Sequence, residues 1–257
     1  MGGGHGRHDA HRLHVGRDTA VHRLAPHVKL VALVTFVSAV AVTPRYALWA
    51  FAIDAILLAV VAVAARVPAA VVARRVLVVT PFLIVAVLLP FIGHGPRTEL
   101  GPIEVSTDGL WAAWNIAAKA LLGATASIVF TATTPIPEIL TGMTRLRVPR
   151  PVVAIIAFMV RYLDLISEQL HRMRLAMTAR CHDPRWLWQA RPVAAAAGTL
   201  FVRTYERGER IHDAMIARGY TGHMPDDERA PDRPAAWLVA LAPPAVAVTA
   251  AVVALVP

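Results

Sequence analysis

The sequence predicts an all-α integral membrane protein: about five transmembrane helices, with a block of amphipathic helices between the fourth and the fifth. Three observations carry this. Of 257 residues, 56% are hydrophobic and only 17% charged, with a mean hydropathy of +0.53, whereas a soluble domain is about 45–50% apolar and about 25% charged. The apolar residues also form runs long enough to cross a bilayer. Finally, the basic residues behind the net charge of +9 gather on one side of those runs.

Taken in order, residues 1–27 are rich in Gly, His and Arg and lack an apolar core. They predict a flexible cytoplasmic tail, not a signal peptide. Val28–Ala65 is largely apolar; as one helix it would run about 57 Å against a hydrocarbon core of about 30 Å. It must turn back, and Thr43-Pro44-Arg45 is the corner, giving spans Val28–Thr43 and Tyr46–Ala65. A third span fits Val76–Gly93, with Pro81 and Pro90 tolerated at membrane depth. After a polar loop, His94–Asp108, a fourth span fits Gly109–Thr134, so residues 28–134 hold four spans. Residues 135–234 then carry 15 Arg and 11 acidic residues. The apolar character returns at 235–257, interrupted by Pro243-Pro244, as a fifth span.

Charge sets the expected orientation. Arg7, Arg12, Arg17, Arg23 and Lys29 precede the first span, and Arg66, Arg74 and Arg75 lie between the second and third. The opposite side has only Arg45 and Arg97, beside Glu99, Glu104 and Asp108. The positive-inside rule then puts the N-terminus and the 135–234 block in the cytoplasm of a plasma (inner) membrane protein, with the C-terminus outside. In such a chain the basic excess reports orientation and an anionic lipid surface, not a nucleic-acid partner.

The 135–234 block is patterned for helices. Leu163, Ile166, Leu170, Met173 and Met177 recur at spacings of 3 and 4, as do Phe201, Tyr205, Gly208, Ile211 and Met215. Charged residues fill the remaining faces, and Arg161 and Glu168, seven apart, suggest a brace. A shorter helix is expected over Pro137–Leu146, before the Val148-Pro149-Arg150-Pro151 break. Helices of this kind lie against a bilayer or receive a partner. Their ends are alike: Ala217-Arg218-Gly219 closes the second and Ala179-Arg180-Cys181 the first. Small Ala217 admits a close backbone, Gly219 suits a left-handed cap, and Arg218 offers a planar fork for carboxylates.

With these pieces in order the sequence resembles the transmembrane T component of energy-coupling factor (ECF) importers, most closely the CbiQ family of cobalt uptake systems. The resemblance covers nearly the whole chain from His22. It rests on His22-Arg23-Leu24-Ala25-Pro26-His27-Val28-Lys29-Leu30, Ser106-Thr107-Asp108-Gly109-Leu110, Thr133-Thr134-Pro135, Leu146-Arg147-Val148-Pro149, Phe158-Met159-Val160-Arg161-Tyr162-Leu163 and the two helix ends. It implies that the amphipathic helices are coupling helices, and that their terminal arginines dock in acidic grooves of two ABC-type, CbiO-like ATPase subunits. That role passes to Ala179 and Arg180 and to Ala217, Arg218 and Gly219. Cys181 departs from the pattern, since a non-glycine residue there is penalised at positive φ. A CbiM-like, and optionally a CbiN-like, substrate-binding membrane subunit would lie against Leu170, Met173, Met177, Ile211 and Met215. Methionine suits a surface that re-packs during a cycle.

Other residues carry less. His5, His8, His11 and His14 recur every three residues and would present imidazoles to a transition metal, but the glycines around them make an adaptable tail, not a fixed site. Glu168-x-x-His171 has di-iron spacing without the second motif that chemistry needs. Asp54 and Lys119 are ionisable at membrane depth, with Asn115 on the face of Lys119; polar contacts between spans are expected of them. The single cysteine, Cys181, leaves no disulfide framework and no Cys-based metal site. The sequence has no G-x-x-x-x-G-K-[ST], H-E-x-x-H or G-x-S-x-G. The expected molecule is a non-catalytic, cofactor-free scaffold of an ATP-driven importer for a divalent metal ion, cobalt by resemblance. The alternatives are a T component serving vitamin-binding subunits and a self-sufficient channel or secondary carrier.

Overall fold

The computed structural model describes Thr19 and residues 21–92, 97–100, 103–181, 190–222 and 234–255. They form two compact units, one through Arg145 together with the C-terminal helix, the other from Leu146 onward.

The first unit is built from apolar helices whose limits follow from local chemistry. Helix α1, Pro26–Val42, starts on a proline that suits the first turn. Thr43 closes it, its hydroxyl donating to the carbonyl of Ala39 (2.9 Å) before Pro44 forbids continuation. Helix α2, Leu48–Ala64, ends where Arg66 turns left-handed (φ 52°) and the Val67 N–H reaches the Ala62 carbonyl. Pro68 then caps α3, Ala69–Val76, which runs through a 3-10 turn at Leu77–Val79 into α4, Thr80–Ile92. The third apolar helix is thus continuous from Ala69, seven residues earlier than expected, and holds Arg74 and Arg75.

The expected loop after α4 contains an antiparallel hairpin, β1 Arg97–Leu100 and β2 Ile103–Ser106, with Glu99 opposite Glu104. Ser106 ends it by capping α5, Thr107–Thr133, accepting from the Gly109 N–H at 3.2 Å. Asp108 therefore lies in the first turn of α5, not in the loop. Helix α6, Ile136–Arg145, packs on α1 inside this unit. The C-terminal helix α9, Pro234–Leu255, starts beside α1, where His27 and Trp237 meet edge to face at 5.4 Å.

The core lies among α1, α2, α5 and α9: Phe36, Ala39, Val40, Phe51, Leu58, Ala118, Leu122, Ala126 and Ala247. Ala47, Ala50 and Ala250 extend it. So much alanine lets backbones approach, the usual basis of helix packing in lipid. Helix α4 lies tight on α5, where a Cβ on Gly109 would stand 2.5 Å from the Leu89 carbonyl oxygen. The outward surfaces are apolar, Val63 and Val78 being 75% and 79% exposed, which suits hydrocarbon and not water. Among the described residues three helices are long and apolar enough to cross a membrane: Ala69–Ile92, Thr107–Thr133 and Trp237–Leu255. Helices α1 and α2 are apolar but have 17 residues each.

The second unit contains two long helices, α7 Arg150–Ala179 and α8 Ala190–Ile216. Pro149 caps the first, and the chain enters it through Arg147 at φ 59°.

Candidate functional site: paired helix ends and membrane-depth charges

The ends of α7 and α8 have matching backbones. Arg180 and Cys181 donate to the carbonyls of Met177 and Thr178 at 3.1 and 2.9 Å; Arg218 and Gly219 donate to Met215 and Ile216 at 3.0 and 2.9 Å. Cys181 takes φ 57° and Gly219 φ 81°, so the cysteine adopts the left-handed conformation that glycine serves in the other end. After Gly219 the Tyr220 N–H returns to the Met215 carbonyl at 3.0 Å and completes the cap. Arg180 and Arg218 are exposed, and no described residue pairs with either guanidinium. Two exposed forks thus stand at two similarly built helix ends, with a geometry suited to carboxylates.

A signal missed in the sequence is now plain. Ala176-Met177-Thr178-Ala179-Arg180 and Ala214-Met215-Ile216-Ala217-Arg218 agree in four of five residues. Aligning the chain with itself would have found them.

The apolar stripes divide. Ile166, Leu170, Met173 and Met177 of α7 are half-buried, as are Ile211 and Met215 of α8, but Leu163, Phe201 and Tyr205 are 53%, 70% and 61% exposed. A cleft of about 320 Å³ separates the helices, lined by Tyr162, Ile166 and Gln169 on one side and Thr204, Ile211 and Met215 on the other. The expected brace from Arg161 to Glu168 is replaced by a pair one turn apart, Arg172 on Glu168 at 2.9 Å.

At membrane depth the polar residues differ in their partners. Lys29, expected to count among the orientation charges, is buried. Its ammonium donates to the carbonyls of His22 and Thr133, both 3.1 Å, and to the Thr134 hydroxyl at 3.4 Å. It fastens the entry of α1 to the last turn of α5, where helix carbonyls lack partners. Lys119 donates to the Ala41 carbonyl at 2.7 Å, an expected contact between spans. Arg45 and Asp108, assigned by charge to one side, meet at 3.4 Å. Asp54 is fully buried with neither oxygen hydrogen-bonded. His5, His8, His11 and His14 lie outside the described residues; among the described ones no three His, Cys, Asp or Glu side chains are grouped for a metal.

Lipid-facing helices joined to a basic helical unit with matched ends define the class: a polytopic membrane protein that presents paired arginine termini. The family described as cobalt transport protein, CbiQ, matches residues 17–228, and the chain belongs to it. It is 31% identical over 149 residues to the cobalt transport protein CbiQ of Rhodobacter capsulatus, covering 54% of this chain and 60% of that one. It is 26% identical over 127 residues to a protein of Methanocorpusculum labreanum named as a fused cobalt transport protein CbiMQ, covering 49% and 21%. It is 27% identical over 235 residues to the energy-coupling factor transporter transmembrane protein EcfT of Bacillus selenitireducens, covering 81% and 82%. The chain thus spans less than two thirds of the cobalt relatives it matches. As a member of this transporter family it is a multi-pass membrane protein.

Proposed function

We propose that this chain is the non-catalytic transmembrane scaffold of an ECF-type importer of a divalent metal ion, cobalt in particular. Arg180 and Arg218 dock in acidic grooves of two ABC-type ATPase subunits, and Ala179, Ala217 and Gly219 give the close approach and tight turn this requires. ATP-driven closure of the ATPases moves those grooves. Helices α7 and α8 carry the motion to a CbiM-like substrate-binding membrane subunit seated on Leu170, Met173, Met177, Ile211 and Met215. The N-terminus and α6–α8 are cytoplasmic and the C-terminus is outside, in keeping with the basic residues on that side. The observation that carries the reading is the repeated helix end, with one exposed arginine before each left-handed residue. The relative that joins two cobalt transport names in one chain supports the CbiM-like partner.

The test is affinity capture of the tagged chain from membranes, with mass spectrometry, against Arg180→Glu/Arg218→Glu. An ABC-type ATPase should be recovered with the wild type and lost with the double variant, while the variant remains inserted and folded. Capture of the same ATPase by both would overturn the docking role. Metal uptake by the purified chain alone in vesicles would favour a self-sufficient carrier.

A further inference from the structure

Asp54 stands near the middle of α2, fully buried, and no hydrogen-bond donor meets either carboxylate oxygen. Phe51 and Leu58, one turn to each side, pack in one core with Val40 of α1, Ala118 and Leu122 of α5, and Ala247 of α9. One turn before Ala118, on the same face of α5, is Asn115, whose buried Oδ1 also meets no donor. The inner faces of α2 and α5 thus carry three acceptor oxygens without a donor.

The charges on the packed helices do not answer them. Helix α9 has no charged residue over Pro234–Leu255. On α1, Lys29 is at the far end and already donates to three oxygens. On α5, Lys119 donates to the Ala41 carbonyl, and Asp108 faces Arg45. An ionised carboxylate left alone in such a place is prohibitively costly, so Asp54 needs one positive charge from elsewhere. A divalent ion would bring too much charge for a single carboxylate, and the described residues offer no cluster of further ligands.

We propose that Asp54, with the Oδ1 of Asn115 as a second oxygen, is a monovalent cation site within the membrane helices, occupied by a proton or by Na⁺. Either ion neutralises the carboxylate. A proton makes Asp54 a neutral acid, whereas Na⁺ needs both residues as oxygen ligands. Because the site sits where α1, α2, α5 and α9 meet, its occupancy stabilises that packing. The proposal is independent of the importer reading.

The full-length chain in lipid nanodiscs tests it through thermal unfolding in two series. One replaces choline chloride by sodium chloride at fixed pH and ionic strength; the other varies pH at fixed sodium. The readout is the difference between wild type and Asp54→Asn, which share every other titrating group. With Na⁺ as occupant, sodium raises the wild-type melting temperature by a few degrees and leaves Asp54→Asn unmoved, and Asn115→Leu blunts the response. With a proton as occupant, sodium does nothing. The wild type then loses melting temperature relative to Asp54→Asn as pH rises, because its folding takes up a proton that the asparagine form does not need. Asp54→Ser supplies the same comparison if the asparagine form fails to fold. Parallel curves for wild type and variants in both series would overturn the proposal. So would loss of the difference in Lys119→Met, which would assign the positive charge to that lysine.

Discussion

Two single residues decide local geometry in ways that can be measured. Lys29 is held by three oxygens at the junction of α1 with the end of α5. Lys29→Met keeps the length of the side chain but strips the donors from a buried cluster. It should lower stability by about 2–3 kcal/mol, since hydrogen bonds to charged groups are the stronger ones; thermal unfolding in detergent checks this. Cys181 is the reverse case, a residue placed where its own side chain is unwelcome. A left-handed conformation costs an L-residue about 1–2 kcal/mol, and glycine gives part of that back through a freer unfolded chain. Cys181→Gly should therefore stabilise by roughly 1 kcal/mol. Gly219→Ala should destabilise by a similar amount, through φ alone, because nothing lies within 4 Å of the added Cβ. Equal and opposite shifts in melting temperature would confirm that the two ends share one conformation. The amino-acid pattern marked Lys29 as a charge and Cys181 as an anomaly. Two of the three bonds that hold the lysine go to Thr133 and Thr134, about a hundred positions away, which no local pattern reports.

Among the elements, the crossing of α4 and α5 is tightly constrained. Gly109→Ala would put a methyl group 2.5 Å from the Leu89 carbonyl oxygen and 2.9 Å from the Cα of Pro90. Both are backbone atoms on a proline-bearing helix, so relief needs the helices to part, at a cost of about 1–3 kcal/mol or more. Loss of the folded fraction in size-exclusion chromatography of Gly109→Ala, with Gly123→Ala as the unhindered control, checks this. Hydropathy located the apolar helices well, because a run of Val, Leu and Ala has few alternatives in lipid. It failed at the polar joints. Arg74 and Arg75 suggested a loop, yet they lie within the continuous helix, in the last turn of α3 before its 3-10 turn. The segment after α4 read as a loop because its two strands are four residues each, too short for alternation to stand out. The stripe on α8 was legible as a period, but Phe201 and Tyr205 fall on its exposed edge. Periodicity gives a face, not its limits.

At the scale of the whole molecule, the membrane class, the family and the paired helix ends could all be recognised from the sequence, because composition and short ordered motifs record them. The conformation shared by the two ends, and the unanswered carboxylate at Asp54, depend on where the helices pack. One feature of the apolar helices reaches beyond the protein. Helix α5 has 27 residues, about 40 Å, while α1 and α2 have 17 each, about 25 Å. Two short helices and a long one in a single core cannot all match a hydrocarbon layer of about 30 Å. The lipid around α1 and α2 must thin or the long helix must tilt, each at a cost of fractions of a kcal/mol per Å. Melting temperature should therefore follow acyl-chain length in reconstituted bilayers, falling as the chains lengthen beyond the reach of α1 and α2. In this way the thickness of the surrounding membrane becomes a variable in the protein's own stability, and any membrane that changes its lipid chains also changes how firmly this bundle holds together.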